Sequence, residues 1–343
     1  MRAVRTRELT RAAMSDLLGG VDPRGHAIAD ATDAALLGAL AIAGREDAER
    51  WGAERARVAF VAMGRYGGRE CSYASDADVI ALHEAVGGAS DSEAAASATA
   101  IVNRVKKLLG SATSQLGIVV DLDLRPEGKN GPMSRTIASH EEYAQRWAST
   151  WERQAAVRAR PIGDGGLAQA ARSLFESMAY RDVSEAEVRD IRLLKARMEN
   201  ERLPRGTEPA RHVKLGPGGL TDVEWTIQLI QMRHGREVEA LRTSSTTDAI
   251  AAARDAGLLG ASDAEILLNA WDLATRIRAG NTLATGRMSG VKLDVVPRDS
   301  AELGALAAIL GYGSGGLTAL EEDWLRAARQ ARDVMERAFW EQQ

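Results

Sequence analysis

Two aspartates, Asp76 and Asp78, stand two residues apart at the head of an apolar stretch, and a third, Asp121, lies inside another. Group transfer at phosphorus needs metal ions that neutralise charge and line up the attacking and leaving oxygens. Magnesium, a hard cation, takes carboxylate and phosphate oxygens, so two or three carboxylates converging on one place suit it. On a strand, side chains at i and i+2 share a face, and Asp76 and Asp78 can meet one ion; on a helix the same spacing splays them by about 200°. Gly64, Gly67 and Gly68 precede the pair and allow a backbone to come close to phosphates. Ser75 offers a hydroxyl to a phosphate oxygen or to the turn itself.

Each signal also has a plain structural reading. An Asp-x-Asp at a strand head is often only solvated, and Gly-x-x-Gly-Gly is neither a P-loop nor a dinucleotide fingerprint. What selects the chemical reading is the order: apolar strand, Gly loop, Ser-Asp-x-Asp, then a later strand with a further carboxylate. Asp123 falls on the same expected strand face as Asp121. Arg125 is a candidate nucleotide contact and also the natural partner of Asp123, and Lys129, at the strand's exit turn, is a candidate phosphate contact.

The elements that must position these groups follow from pattern. Helical periodicity runs from about Ile28 to Arg55. Val58–Met63 is a buried-strand run, Arg65–Ala74 reads as a loop, Asp76–Leu82 as a second strand, 93–109 as a helix and Gly117–Leu124 as a third strand ended by Pro126. Helices are then expected at 139–160, 166–180, 184–202, 221–234, 246–256, 263–284, 300–310 and 316–340. The fold class is α+β: an N-terminal helical segment (1–55), a small mixed-sheet domain (56–165) and an all-helical bundle (166–343). Trp147 and Trp151, one helical turn apart, are expected in the core.

The 343 residues carry a net charge of −4, with 45% hydrophobic and 27% charged residues, and give no support for a nucleic-acid or membrane binder. No apolar run approaches the about 18 residues of a membrane span. One cysteine, Cys71, excludes an internal disulfide and a cysteine-based zinc cluster, and a cytoplasmic location is expected. Thr221-x-x-Glu224 reads as a capping box, with Asp222 likewise structural. Lys214 either reaches a phosphate or faces solvent, and His83, His212 and His234 are expected to pack or face solvent.

Four segments carry a resemblance. Gly64-Arg-Tyr-Gly-Gly-Arg-Glu-Cys-Ser-Tyr-Ala-Ser-Asp-Ala-Asp78 resembles the Gly-x-x-Gly-Gly-x-Glu-x-x-x-x-Ser-Asp-x-Asp motif of glutamine-synthetase adenylyltransferases, members of the DNA polymerase β-like nucleotidyltransferase superfamily. Val120-Asp-Leu-Asp-Leu-Arg-Pro126, Trp151-Glu-Arg-Gln-Ala-Ala-Val-Arg-Ala-Arg-Pro161 and Val213-Lys-Leu-Gly-Pro-Gly-Gly-Leu-Thr-Asp-Val-Glu224 are similar to three further motifs of that family, in the same order. Its enzymes hold two related halves, one adenylylating a tyrosine of glutamine synthetase and the other removing the AMP by phosphorolysis. This chain is about one half. Thr150–Arg160 and Leu241–Asp248 look more like the adenylylating half.

The resemblance implies a catalytic and metal-binding set of Asp76, Asp78 and Asp121, with Asp121 also placed to take the tyrosine proton. It implies Mg2+ and ATP as cofactors, with Gly64, Gly67, Gly68 and Ser75 holding the triphosphate. Glutamine synthetase is the implied protein substrate and the PII signalling protein a possible regulator. The family often has Arg where this chain has Asp123. The phosphorolytic half, a PII-modifying uridylyltransferase and a non-catalytic module binding PII or glutamine synthetase are the rivals. A module without catalysis has no need of all three aspartates.

Overall fold

A computed structural model describes residues 2–18, 24–110, 117–313 and 316–341. The chain forms two compact units, residues 1–12, 23–71 and 75–179 in the first and 13–22, 72–74 and 180–343 in the second.

Helix α1 (Arg2–Leu17) is followed by the Ala-rich α2 (Arg24–Trp51). In the first unit a four-stranded mixed sheet has the order β3-β2-β1-β4. Strand β1 (Ala56–Ala62) is the expected apolar run. The loop expected after it begins instead with one helical turn, α3 (Gly64–Gly67). Strand β2 (Ala77–Ala85) returns antiparallel to β1, with Ala62 opposite Val79. Helix α4 (Asp91–Leu109) starts at a capping box between Ser90 and Glu93 and packs on α2, β1 and β2.

Strand β3 is only Val120–Asp121, paired parallel to β2, rather than the eight-residue strand expected. The alternation of Leu122 and Leu124 with Asp123 is not a strand pattern, because the Asp121 carboxylate accepts the Asp123 amide at 2.7 Å and turns the chain. The helix expected over 139–160 is two, α5 (Ile137–Arg146) and α6 (Thr150–Ala156), because a capping box at Ser149 and Glu152 starts the second afresh. That break puts Trp147 at 73% exposure and Trp151 at 41%, not in the core. Strand β4 (Arg160–Pro161) pairs antiparallel with the end of β1, and α7 (Gly166–Ala179) closes the unit. Residues 166–179, expected with the helical bundle, cluster with the sheet.

By length and composition α2 does qualify as a possible membrane span, with mean hydropathy of 1.5, contrary to the expectation of none. Its apolar side includes Ile28, Ala31, Ala35, Leu36 and Ala39, which are buried within this unit.

The second unit is helical: α8 (Glu185–Glu201), α9 (Leu220–His234), α10 (Thr246–Asp255), α11 (Ala261–Thr285), α12 (Ser300–Ile309) and α13 (Gly316–Met335). Val223, Ile227, Ile250, Leu267, Trp271, Leu306 and Trp324 lie in its core. The expected capping box at Thr221 and Glu224 is absent: α9 is capped at Gly219, and both the amide and the hydroxyl of Thr221 donate to the Lys214 carbonyl. Asp222 is buried, pairs with Lys195 at 2.5 Å and Arg332 at 3.1 Å, and accepts the Gly218 amide at 2.8 Å.

His83, His140 and His212 are all buried, and burial holds each imidazole below its ordinary pKa, His140 down to about 4. The unfolded chain takes up these protons near pH 6.5, whereas the folded chain resists them. Stability should therefore be full above about pH 6.5 and decline as pH falls toward 4, at up to about 1.4 kcal/mol per pH unit for each such histidine. Melting curves from pH 7.5 to 5 should show the decline, and His140→Phe should flatten it; an unchanged slope in that variant would remove His140 as a contributor.

Candidate active site

The parallel pairing of β2 with β3 sets Ala77 beside Val120 and Asp78 beside Asp121. Side chains in register on neighbouring strands share a face, so the Asp78 and Asp121 carboxylates meet. Asp76, two residues before Asp78, joins them, and the ligand oxygens of the three all lie within 4.8 Å of one another. Asp76 is exposed and the other two half-buried, open to a solute. Gly64 has a φ of +54° and lies so close that a Cβ there would stand 3.4 Å from Asp78 Oδ2. Among the described residues, neither Asp76 nor Asp121 forms an ion pair with a cationic side chain. A crowded set of acid oxygens of this kind fits a hard divalent cation.

The other candidates divide. Ser75 is half-buried, directly before Asp76. The amides of Gly67 and Gly68 donate to the Met63 and Gly64 carbonyls at 2.8 and 3.1 Å, and a Cβ on Gly67 would stand 1.8 Å from the Arg158 carbonyl oxygen. These two glycines thus shape and dock the turn. Arg125 is buried and gives Nε, Nη1 and Nη2 to the carbonyls of Gly131, Leu122 and Lys129 at 3.2, 2.9 and 3.0 Å. It staples the loop that follows Asp121. Asp123 does not share Asp121's strand face, since the strand has ended; it pairs with Lys129 at 3.3 Å and Arg125 at 3.8 Å. Lys129 is exposed and engaged there.

Several residues that hold the site carry only a faint signal in the sequence. Glu70, inside the Gly motif, forms a buried ion pair with Arg158 at 2.5 Å. Asp33 of α2 takes Arg160 in a bidentate pair at 2.8 and 3.0 Å and the Tyr66 hydroxyl at 2.5 Å. Burial, with Asp33 second, raises the Tyr66 phenol and keeps it a donor. The available signal was the charged residues inside matched motifs: one acid in the glycine segment and two arginines, two apart, entering β4. Glu152 has a local role, since it accepts the Ser149 amide at 2.8 Å and the Tyr143 hydroxyl at 2.9 Å. Burial lifts the Cys71 thiol to about 12, so it is inert at neutral pH.

The model of the glutamate-ammonia ligase adenylyltransferase family matches residues 1–174, and that of GlnD PII-uridylyltransferase matches residues 192–339. The chain belongs to the glutamate-ammonia ligase adenylyltransferase family. It is 43% identical over 99% of its length to a bifunctional glutamine synthetase adenylyltransferase/adenylyl-removing enzyme of Streptomyces coelicolor, covering 35% of that protein. Relatives bearing the same name in Bifidobacterium longum subsp. infantis and Mycobacterium marinum are 42% and 38% identical, over 100% and 98% of this chain and 32% and 34% of theirs. The chain thus spans about a third of the length of these curated relatives.

The acid cluster has a direct thermodynamic consequence. Removing one of three mutually repelling charges should stabilise the metal-free protein, so Asp76→Asn should raise its Tm by roughly 2–4 °C, about 1 kcal/mol. Magnesium should raise the wild-type Tm by mass action and leave that of Asp76→Asn nearly unmoved. A magnesium response that survives in the variant would place the ion elsewhere.

Proposed function

We propose that this chain is a magnesium-dependent adenylyltransferase domain that moves AMP from ATP to a tyrosine of glutamine synthetase in the cytoplasm. The observation that carries the reading is the register pairing of Asp78 with Asp121, with Asp76 joining them, in a chain of the adenylyltransferase family. Asp76, Asp78 and Asp121 would hold Mg2+, which supplies charge neutralisation at the phosphates. Gly64 admits the triphosphate close to Asp78, and Ser75 lies within the same segment.

In the transfer, the tyrosyl oxygen attacks the α-phosphorus, the bond to the β-phosphate oxygen breaks, and pyrophosphate leaves. Asp121 Oδ1 is engaged with the Asp123 amide, which leaves Oδ2 to accept the phenolic proton. Asp123, already offset by Lys129 and Arg125, takes no part. The match of residues 192–339 to a PII-uridylyltransferase supports the PII protein as the regulator of this activity.

A second reading, phosphorolytic removal of AMP, is favoured by one observation: the relatives are named for both activities. The segments that suggest the adenylylating half are built into the scaffold here. Arg158 and Arg160 brace the glycine turn, Leu241 is core and Ser245 caps α10. The preference for adenylylation therefore rests on their resemblance and not on their position.

Two tubes separate the directions. With unmodified glutamine synthetase, ATP and magnesium, intact mass should rise by one AMP per subunit. With adenylylated glutamine synthetase and phosphate, little ADP should appear. ADP release without AMP transfer would reverse the assignment, and activity in neither tube would favour a binding module. Asp121→Asn should lower transfer by orders of magnitude while ATP binding largely survives, and Asp123→Asn should act mildly. The opposite ranking would show that Asp123 is the third acid.

A further inference from the structure

The turn that carries Gly64 is braced from two sides, and neither brace belongs to the acid cluster. From one side comes α2. A Cβ on Gly25 would stand 2.6 Å from the Arg69 carbonyl oxygen and 2.9 Å from the Glu70 Cα, so the start of α2 packs directly on the loop backbone. Asp30, farther along α2, pairs with Arg69, which itself holds a left-handed φ of 57°. One turn on, Asp33 takes the Tyr66 hydroxyl. From the other side comes β4. Arg160 Nε donates to the Gly67 carbonyl at 3.1 Å, and its two terminal nitrogens close on Asp33. The Arg158 carbonyl lies against Gly67, and the Arg158 side chain pairs with Glu70.

The turn is therefore clamped between α2 and β4, and the Asp33–Arg160 pair is the bolt that joins the two jaws through it. The same turn holds Gly64 within a methyl group's reach of Asp78. We propose that Asp33 and Arg160 are positioning residues for the nucleotide: without touching it, they set the height of the Gly64 backbone over the acid cluster and so control the binding of ATP with its metal. The inference rests on the adenylyl-transfer reading and adds helix α2, which bears no motif, to the machinery of that site.

Geometry explains why this pair is suited to the task. A bidentate arginine–carboxylate contact fixes direction as well as distance, whereas a lysine in the same place is a single point charge. Both side chains are largely shielded, at 17% exposure each, so water does little to weaken the pair. A shift of the turn by even one ångström would change the approach of any phosphate to Asp78, and misplacement of that size is costly at reacting centres.

The experiment measures Mg·ATP binding and AMP transfer in the full chain for wild type, Asp33→Asn, Arg160→Lys, Arg160→Gln and the Asp33→Asn/Arg160→Gln double variant. Circular dichroism and Tm serve as controls of folding. Asp33→Asn and Arg160→Gln should each raise the KM for ATP about tenfold or more, with the KM for glutamine synthetase unchanged. Arg160→Lys should recover part of the loss, and the double variant should be no worse than the poorer single one, as for one shared interaction. A lowered Tm with an unchanged KM for ATP would overturn the proposal, since the pair would then serve stability alone. Additive losses would overturn it as well. Should Asp33→Asn fail to fold, Tyr66→Phe tests the same clamp by deleting only its hydroxyl, and it should raise the KM for ATP severalfold; no change would again overturn it. Wild type that binds no Mg·ATP would refute the underlying function itself, an outcome distinct from all of these.

Discussion

Carboxylates crowded within a few ångströms of one another repel, and only a rigid frame keeps them there. In this chain the frame is a parallel pairing two residues long, in which β3 runs beside β2 for the distance needed to set Asp121 against Asp78. Everything around it serves that contact. Strand β1 anchors β2 over its length, and the Ala77 amide reaches the Val119 carbonyl at 2.8 Å. Arg125 then folds the loop after Asp121 back on itself through three carbonyls. Because that loop turns at Asp123, the fourth acid leaves the cluster and is offset by Lys129 and Arg125.

A division of labour follows between acids that stay open and acids that are paired. Asp76 and Asp121, with no cationic partner among the described residues, face accessible space, where a metal could offset their charge. Asp33 and Glu70 are satisfied by Arg160 and Arg158 and hold the glycine turn in place. Buried ion pairs contribute little net stability compared with apolar packing, yet breaking one typically costs about 3–5 kcal/mol, so they favour one arrangement strongly over its neighbours. At the edge of the proposed nucleotide site, such specificity is of more use than stability.

The helical unit applies the same logic to packing. The glycine segment before α9 resembles a phosphate cradle in its spelling, but its amides are turned inward. Lys214 and Leu215 donate to His212 Nδ1, Gly216 to the His212 carbonyl, Gly218 to Asp222 and Gly219 to Gly216. Gly218, at a φ of +72°, lies so close to the Ala328 carbonyl that a Cβ would stand 1.7 Å from its oxygen. Asp222, paired with Lys195 and Arg332, ties α9 to α8 and α13. Gly218 is there because α13 passes close, and Gly216 and Gly219 because the turn folds back on the backbone of Pro209, His212 and Val213.

Much of the site was legible from residue type and spacing alone. Asp76 and Asp78 at i, i+2, the apolar run before Gly64 and a later Asp121 are local patterns, and local patterns survive folding when burial and strand pairing agree with them. The α+β class and the order of helices follow from periodicity for the same reason. Where α6 begins, how short β3 is and which face Asp123 takes were not legible, because they depend on side chains capping or turning the backbone: Glu152 on Ser149, and Asp121 on Asp123. The Trp147–Trp151 pair left the core as a result of the first of these. Least visible was the bracing of the glycine turn, since Asp33 and Arg160 are 127 residues apart and neither carries a local signal of the other. One-dimensional spacing picked out the candidate acids; only the tertiary structure decided which charged groups gather at one place and which are consumed in holding the turn beside them, because pairing depends on distance in space and not along the chain.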